Sequence, residues 1–330
     1  MIRKLVRTRD AQMTLDAAAV ESSAVFLLGE LERLDPRINM PLQAHTWSRD
    51  LPLRGDVALS DEVSSYTRDF FASPGNQRGD GKHWIGSQTT QIAGVQARRD
   101  LHRNPLTPWG IEISYSIFDL ARSQAVGRPI DRTKIDAAQR VYQGEVDEFA
   151  YMGDDTLGMR GLINLDDIPI TPAGTKTTSG TAWADTTPGA EILGDINNLI
   201  KAVLESANEA VGPYRILMPW DNYNILATRE HSEGSDVTML NYVKQNNISN
   251  DVSGRQLEIY PVRWLKTAGA GSTRRMIAYS PEEQYIRIPV VPLLRTPLEQ
   301  HGMFFSWYYY TVIGGVENVY PETIGYMDGI

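Results

Sequence analysis

The sequence predicts an α+β fold, with helices and β-strands in separate parts of a 330-residue chain. Apolar and polar residues alternate over 64–71 and 84–97, on both sides of the turn-forming run SPGNQRGDG at 73–81, as in a long β-hairpin. An apolar stripe with helical spacing covers 131–153, and an aromatic, strand-rich segment covers 303–320. These three observations place strands on both sides of one long helix.

The amino terminus is basic and is followed by a predicted helix. Residues 14–34 have helical apolar spacing, and Asp35-Pro36 ends that helix because the residue before proline avoids helical backbone angles. The first ten residues are either a solvated terminus or an arm that lies on an acidic neighbour or on nucleic acid. Their basic residues are Arg3, Lys4, Arg7 and Arg9.

The predicted hairpin has too few apolar residues to form a core of its own. It belongs to residues 40–112, which are rich in proline and glycine. A projection of about 60 residues without a core is usually functional, disordered or packed on a partner. We expect a partner.

The long helix is predicted to span about 22 residues, or about 33 Å. Asp131 is a suitable N-cap, and Gly153 is a natural stop. The glycine-containing run that follows leads into an apolar strand that ends near residue 165, and 171–189 reads as a surface loop.

Residues 188–300 show an α/β-like pattern. Helices are expected at 190–210, 221–228 and 235–245, with Ser235 or Asp236 as the cap of the last one. Strands are expected at 214–219, 257–264, 274–279 and 285–290.

Composition excludes several classes of protein. The chain has no cysteine, which excludes disulfides, cysteine-ligated zinc, iron–sulfur clusters and thiol nucleophiles. A net charge of −9 argues against a protein that binds duplex DNA by neutralising phosphates. No segment is apolar enough to cross a membrane, and the start lacks a secretory signal. We expect an intracellular or particle-borne soluble protein.

The sequence contains no convincing catalytic or cofactor motif, so we predict no enzyme, no cofactor and no metal site. The five histidines show no metal-binding spacing. The adjacent pairs Asp154-Asp155 and Asp166-Asp167 are weak evidence for acid–base chemistry, because neighbouring strand residues face different ways. His231, Ser235 and Asp236 are close in sequence but lack a nucleophile elbow.

The aromatic run from Trp307 to Tyr310 has two interpretations. It could reflect alternation between core and surface, or it could supply interface anchors, because aromatic side chains are favoured in interfaces. The candidate inter-subunit contacts are Arg3, Lys4, Arg7, Arg9, Lys82, Trp84, Trp307 and Tyr309.

Taken together, several stretches make the chain resemble the major capsid proteins of tailed bacteriophages with the Hong Kong 97 fold, in a branch long catalogued as a domain of unknown function. The similarity covers residues 110–330 well and the amino-terminal third loosely. The stretches that carry it are 157–165, 216–228, 235–247, 264–280 and 285–330.

The resemblance implies an amino-terminal arm, an extended loop, a peripheral domain with a spine helix, and an axial domain. We assign these to 1–45, to 46–112, to 113–165 with 301–330, and to 166–300. Copies would form hexamers and pentamers in an icosahedral shell around double-stranded DNA. In such a shell, net negative charge is compatible with DNA, because the genome must slide past a wall that does not grip it.

Two features of some relatives are not expected here. One is a long, cleaved amino-terminal scaffolding segment, for which the arm beginning at Met1 leaves no room. The other is a covalent cross-link from a loop lysine to an asparagine of the next subunit. Lys82 lies in the hairpin, but no motif identifies its partner, so we predict no cross-link.

The sequence therefore predicts a capsid subunit of the virion, assembled in the cytoplasm of a bacterial host. Its partners would be further copies of itself, a portal, and scaffold or decoration proteins, and it would enclose DNA without reading its sequence. Two alternatives remain: an encapsulin-like compartment shell, and an acidic hydrolase that uses Asp154 and Asp155.

Overall fold

The computed structural model describes residues 44–72, 94–119, 130–177, 180–231 and 236–330. Residues 1–43 of the predicted arm, with its helix at 14–34, lie outside these residues, as does the predicted turn at 73–81. All described residues belong to one compact unit of the chain.

The helices of the described residues are α1 (Trp47–Asp50), α2 (Ile130–Met152), α3 (Gly189–Ser206), α4 (Trp220–Thr228), α5 (Met239–Gln245) and α6 (Ile248–Ser253). Short 3-10 helices are Arg263–Thr267, Ala270–Ser272 and Pro321–Thr323. The early strands are β1 (Leu53–Arg54), β2 (Val63–Ala72), β3 (Gln96–Ser116), β4 (Gly153–Asp154), β5 (Met159–Arg160), β6 (Ile170–Pro172) and β7 (Arg215–Met218). The later strands are β8 (Glu258–Pro261), β9 (Arg275–Tyr279), β10 (Ile286–Pro289), β11 (Leu294–Arg295), β12 (Glu299–His301), β13 (Phe304–Gly314), β14 (Glu317–Asn318) and β15 (Ile324–Asp328).

A long sheet has the strand order β11-β13-β3-β2, with β12 also paired to β13. The predicted hairpin is present: β2 runs antiparallel to β3, from Val63 opposite Pro105 to Ala72 opposite Gln96. The return strand was predicted at 84–97, but β3 begins at Gln96 and continues to Ser116, where it pairs with β13. Residues 84–93 lie outside the described residues.

A central sheet has the strand order β6-β15-β9-β7-β8 and separates two hydrophobic cores. Because side chains alternate along a strand, Ile216 and Met218 of β7 face one core while Leu217 faces the other. Helix α3 supplies much of the first core, and its buried residues from Ile192 to Leu204 have helical spacing. Helix α2 packs in the second core through Tyr142, Val146, Ala150 and Tyr151.

The end of the chain belongs to the central sheet, because β15 pairs with β9, with Tyr326 opposite Ile277. The sequence-based division placed 301–330 in the peripheral domain together with 113–165. A smaller sheet has the strand order β1-β10-β14. It joins the segment after α1 to the carboxyl-terminal part of the chain, because β10 pairs with both β1 and β14.

The long helix was predicted almost to the residue, at 131–153 against Ile130–Met152. It begins one residue before the predicted cap, so Asp131 lies in its first turn. Gly153 has a φ of +71°, and a β-carbon there would collide with the backbone of Met159. Gly161 is equally restricted, because a β-carbon would collide with the carbonyl of Tyr151. These two glycines allow the chain to fold back against the end of α2.

Three local predictions were wrong. The apolar strand before residue 165 is a series of turns with only Met159–Arg160 in strand form, and Asn164 Oδ1 accepts from Gly161 N at 2.8 Å. Helix α5 is capped by Thr238, whose side chain accepts from Asn241 N, and not by Ser235 or Asp236. Helix α3 stops before 210, because Asn208 and Glu209 adopt positive φ angles.

The predicted surface loop at 171–189 is partly buried. Asp195 of α3 accepts a hydrogen bond from Trp183 Nε1 at 2.7 Å and another from Gly174 N at 3.2 Å, and it forms an ion pair with Lys176. Trp183, Lys176 and Asp195 are all buried. The loop is therefore fixed to α3 by a shared carboxylate that its threonine- and glycine-rich sequence does not reveal.

Candidate inter-subunit surfaces

The outward face of the β2–β3 hairpin exposes two large apolar side chains. Opposite residues in an antiparallel pair share a face, so Phe71 lies opposite Ala97 and Leu101 lies opposite Thr67 on the same face. Phe71 is 74% exposed and Leu101 is 51% exposed. Between them, Arg99 and Asp69 form an exposed ion pair at 2.7 Å. Among the described residues, these two apolar side chains remain largely open to solvent, which favours burial against a further surface.

The root of the hairpin is anchored by a buried carboxylate, Glu317 of β14. Arg54 Nη1 donates to Glu317 Oε1 at 3.0 Å, and Arg287 Nε donates to Glu317 Oε2 at 2.7 Å. Ser64 of β2 also donates to Oε1. Because Glu317 is fully buried, these bonds compensate for its lost hydration and fix β2 to β1, β10 and β14.

The segment that links the arm to the rest of the chain is fixed by Asp147 of α2. Its Oδ1 accepts from Thr46 N at 2.6 Å and from Trp47 N at 3.1 Å. Its Oδ2 accepts from Trp264 Nε1 at 3.0 Å, and Arg263 lies 3.2 Å away. The long helix therefore fixes the position of Thr46 and Trp47, just after residues 1–43.

The aromatic run of β13 is divided between core and surface. Trp307 is 9% exposed and lies beside Tyr115, with ring centroids 5.3 Å apart, in a small core with Ile113 and Ala138. Tyr309 is half-buried and packs against this same core. In the isolated chain Trp307 therefore stabilises the fold. The candidate contacts Arg3, Lys4, Arg7, Arg9, Lys82 and Trp84 lie outside the described residues.

The paired aspartates have structural partners. Asp154 Oδ1 accepts from Thr156 N at 2.8 Å, and hydrogen bonds from the Thr156 side chain and backbone lower the pKa of Asp154. Arg160 lies 3.0 Å from Asp155 and 3.3 Å from Asp166. With these contacts, Asp154, Asp155 and Asp166 stabilise exposed turns of the chain.

Within the described ranges, no group of three or more histidine, aspartate or glutamate side chains is arranged to hold a metal ion. No helix in the same ranges is long and apolar enough to span a membrane.

Sequence reasoning missed the exposed apolar residues on the outward face of the hairpin. Phe71 and Leu101 belong to strands whose pairing register was not predictable, so their common face could not be identified. The available signal was the alternation over 64–71, which placed Phe71 opposite in phase to Phe70.

Asp328 makes the stability of the fold depend on pH in the acidic range. Partial burial raises the pKa of Asp328, but Arg275 donates two hydrogen bonds to it, at 2.6 and 2.8 Å, and Ala270 N donates one at 3.0 Å. The donors prevail, so the pKa lies below its ordinary 3.8. Stabilisation by Asp328 is therefore complete above about pH 5 and is lost as the pH falls through the lowered pKa.

We predict that Asp328→Asn lowers the free energy of unfolding by about 1–3 kcal/mol at pH 7. The difference from the wild type should shrink below about pH 4, where Asp328 itself becomes protonated. Urea unfolding of dissociated subunits from pH 3 to 7 measures both values. A difference that stays constant over this range would contradict the assignment.

The fold combines a long central helix, a coreless hairpin and a compact sheet block, and it is the Hong Kong 97-like fold of shell-forming capsid proteins. A sequence profile of the major capsid protein family matches residues 81–330, which is more than half of the chain. The chain belongs to the major capsid protein family. This is a structural family without enzymatic activity, and its members form capsid shells as virion components.

Solved structures agree on the fold. The capsid of Myoviridae phage XM1 is 17% identical, with a TM-score of 0.74 over 91% of this chain and 97% of that chain. A chain of Mycobacterium phage Adephagia is 9% identical, with a TM-score of 0.57 over 88% of this chain and 92% of that one. The capsid of an empty GTA particle is 10% identical, with a TM-score of 0.55 over 90% and 94%. No curated protein matches the sequence significantly.

Proposed function

We propose that copies of this chain form the hexamers and pentamers of an icosahedral head shell that encloses the double-stranded DNA of a tailed phage. The observation that carries this proposal is the exposed apolar face of the hairpin. Burying Phe71 and Leu101 against a partner would be favourable, and a capsid subunit has such partners in its neighbours. The family match and the capsid neighbours favour this function over a compartment shell.

The hairpin would lie across an adjacent subunit, and the central sheet with its helices would surround the five- and six-fold axes. We retain the arm as 1–45 and the extended loop as 46–112. The pairing of β15 with β9 supports moving 324–330 from the peripheral to the axial domain. The peripheral domain would then comprise 113–165 and 301–323, and the axial domain would comprise 166–300 and 324–330.

The shell would enclose DNA without recognising its sequence. The net charge of −9 is consistent with a wall that does not bind DNA tightly. The basic arm would contact DNA or an acidic neighbour. A portal, and scaffold or decoration proteins, would complete the particle, which would assemble in the host cytoplasm. Nuclease-protected DNA in native particles supports the head-shell proposal, whereas particles that hold a protein cargo and no DNA would overturn it.

We predict that mature particles dissociate fully into 36.9 kDa subunits under denaturing conditions. Neither a cysteine nor a motif-defined partner for Lys82 is available to link subunits covalently. Denaturing electrophoresis is the measurement. A ladder of multimers, or a band retained in the well, would show that a cross-link forms.

A further inference from the structure

One end of the central sheet carries a large aromatic side chain exposed to solvent. Trp220, the first residue of α4, is 59% exposed. Tyr223 packs edge-on against it, with ring centroids 6.0 Å apart and an interplanar angle of 78°. The indole is therefore supported on one side and open on the other, as expected for an aromatic residue that anchors an interface.

The same end of the sheet has an excess of positive charge. Asp221, which follows Trp220, has its Oδ2 3.2 Å from Lys266 Nζ and 3.0 Å from Arg274 Nη2. Two cations thus share one carboxylate, and the Lys266 side chain is 65% exposed. We call Trp220, Tyr223, Lys266 and Arg274 the Trp220 surface.

The opposite end of the sheet carries an acidic depression. Glu282, Glu283, Gln284 and Arg287 line this shallow depression, whose volume is 430 Å³. Arg255 lies 2.6 Å from Glu282, and Arg287 lies 2.7 Å from Glu317, so both of these charges are satisfied within the chain. Glu283 is exposed and has no ion-pair partner among the described residues. Beside the depression, the rings of Tyr285 and Tyr320 contact each other edge-on.

The two surfaces cannot meet within one chain. Arg274 directly precedes β9, and Glu282 follows it by three residues, so the five residues of β9, about 17 Å of strand, separate them. A contact between different surfaces of identical subunits is heterologous, and it produces a ring when the rotation from one subunit to the next closes. Opposite charges at the two ends favour this head-to-tail arrangement over a symmetric pairing of like ends.

We propose that the Trp220 surface of one copy docks in the acidic depression of a second copy, with Lys266 and Arg274 facing Glu283. The inference rests on the proposed shell, because it assigns one contact between neighbouring subunits of a ring. Trp220 would supply the buried anchor, and the charges would select the orientation.

A charge exchange tests the contact. Lys266→Glu and Glu283→Lys should each raise the protein concentration needed for shell formation at least about tenfold, and the double variant should restore assembly. Trp220→Ser should have an effect at least as large as either. Light scattering across a dilution series measures the threshold, and the unfolding temperature of dissociated subunits shows whether each variant is folded.

Lys201→Glu is the matched control, because Lys201 is 63% exposed and also pairs with a carboxylate of its own chain, that of Glu205 at 3.4 Å. It makes the same change in net charge away from both surfaces. If it impairs assembly as much as Lys266→Glu, or if the double variant is no better than the single ones, the proposed contact is wrong. Shells of the wild type in the same experiment would leave the proposed function intact.

Discussion

Replacing Glu317 with alanine is expected to lower the free energy of unfolding of the subunit by about 3–5 kcal/mol, because removing one partner leaves buried charges uncompensated. The Arg54 and Arg287 side chains are only 13% and 19% exposed, and both donate to this carboxylate. Ser64 would lose its acceptor as well, so the root of the hairpin would loosen. Denaturant unfolding of dissociated subunits at neutral pH measures the change.

Asp56→Ala provides the control for this experiment. Asp56 also pairs with Arg54, at 2.6 Å, but its side chain is 67% exposed. Exposed pairs contribute about 1 kcal/mol or less, so this variant should remain close to the wild type. Equal losses from the two variants would contradict the role of Glu317 as the buried anchor of the hairpin.

Replacing both Phe71 and Leu101 with serine is expected to abolish shell formation while leaving the subunit folded. Both side chains lie on the outward face of the hairpin and are more than half exposed, so the isolated chain gains little from them. The free energy of unfolding should change by about 0.5 kcal/mol or less, as for most surface substitutions. Analytical ultracentrifugation should show subunits in place of particles.

Phe70→Ser tests whether the effect on assembly depends on which face of the hairpin is changed. Phe70 is adjacent in sequence but points to the opposite face, so its substitution should impair assembly less than the double variant does. Deleting residues 70–85 should weaken assembly while leaving the subunit folded, because the deletion removes the last residues of β2, including Phe71, and the predicted turn after them. Normal particles from either the double variant or the deletion would refute the role assigned to the hairpin.

The parts of the fold predicted from sequence are those with a strong local period. The spacing of apolar residues located α2 to within one residue and α3 to within four, and alternation located β2. The family resemblance led to the shell function, which the family match confirms. Neither signal depends on contacts between distant segments, which is why one sequence was sufficient.

Strand β3 shows what the local period misses. Pro105 and Pro108 within it argue against a strand, because proline cannot donate a backbone hydrogen bond. In the structure, β3 pairs with β2 up to Pro105 and with β13 only from Leu106 onward. Most of β3 therefore has a partner strand on one side only, and a proline is tolerated where no backbone donor is needed on the other side.

The anchoring carboxylates were not predictable for a different reason. The Glu317 carboxylate is bonded by residues 54, 64 and 287. The Asp147 carboxylate is bonded by residues 46, 47, 263 and 264. In the sequence, each looks like an ordinary surface acid. Their roles come from chain topology, which brings together donors that lie from 30 to more than 200 residues away in the sequence, and no short-range pattern records this.

An electron cryomicroscopy reconstruction of particles purified from cells that produce this chain tests the central claim most directly. We predict closed icosahedral shells in which the hairpin lies across a neighbouring subunit and Phe71 and Leu101 are buried in that contact. A small discrete oligomer would contradict the shell function. Closed shells in which this face of the hairpin remains in solvent would contradict the proposed role of the hairpin.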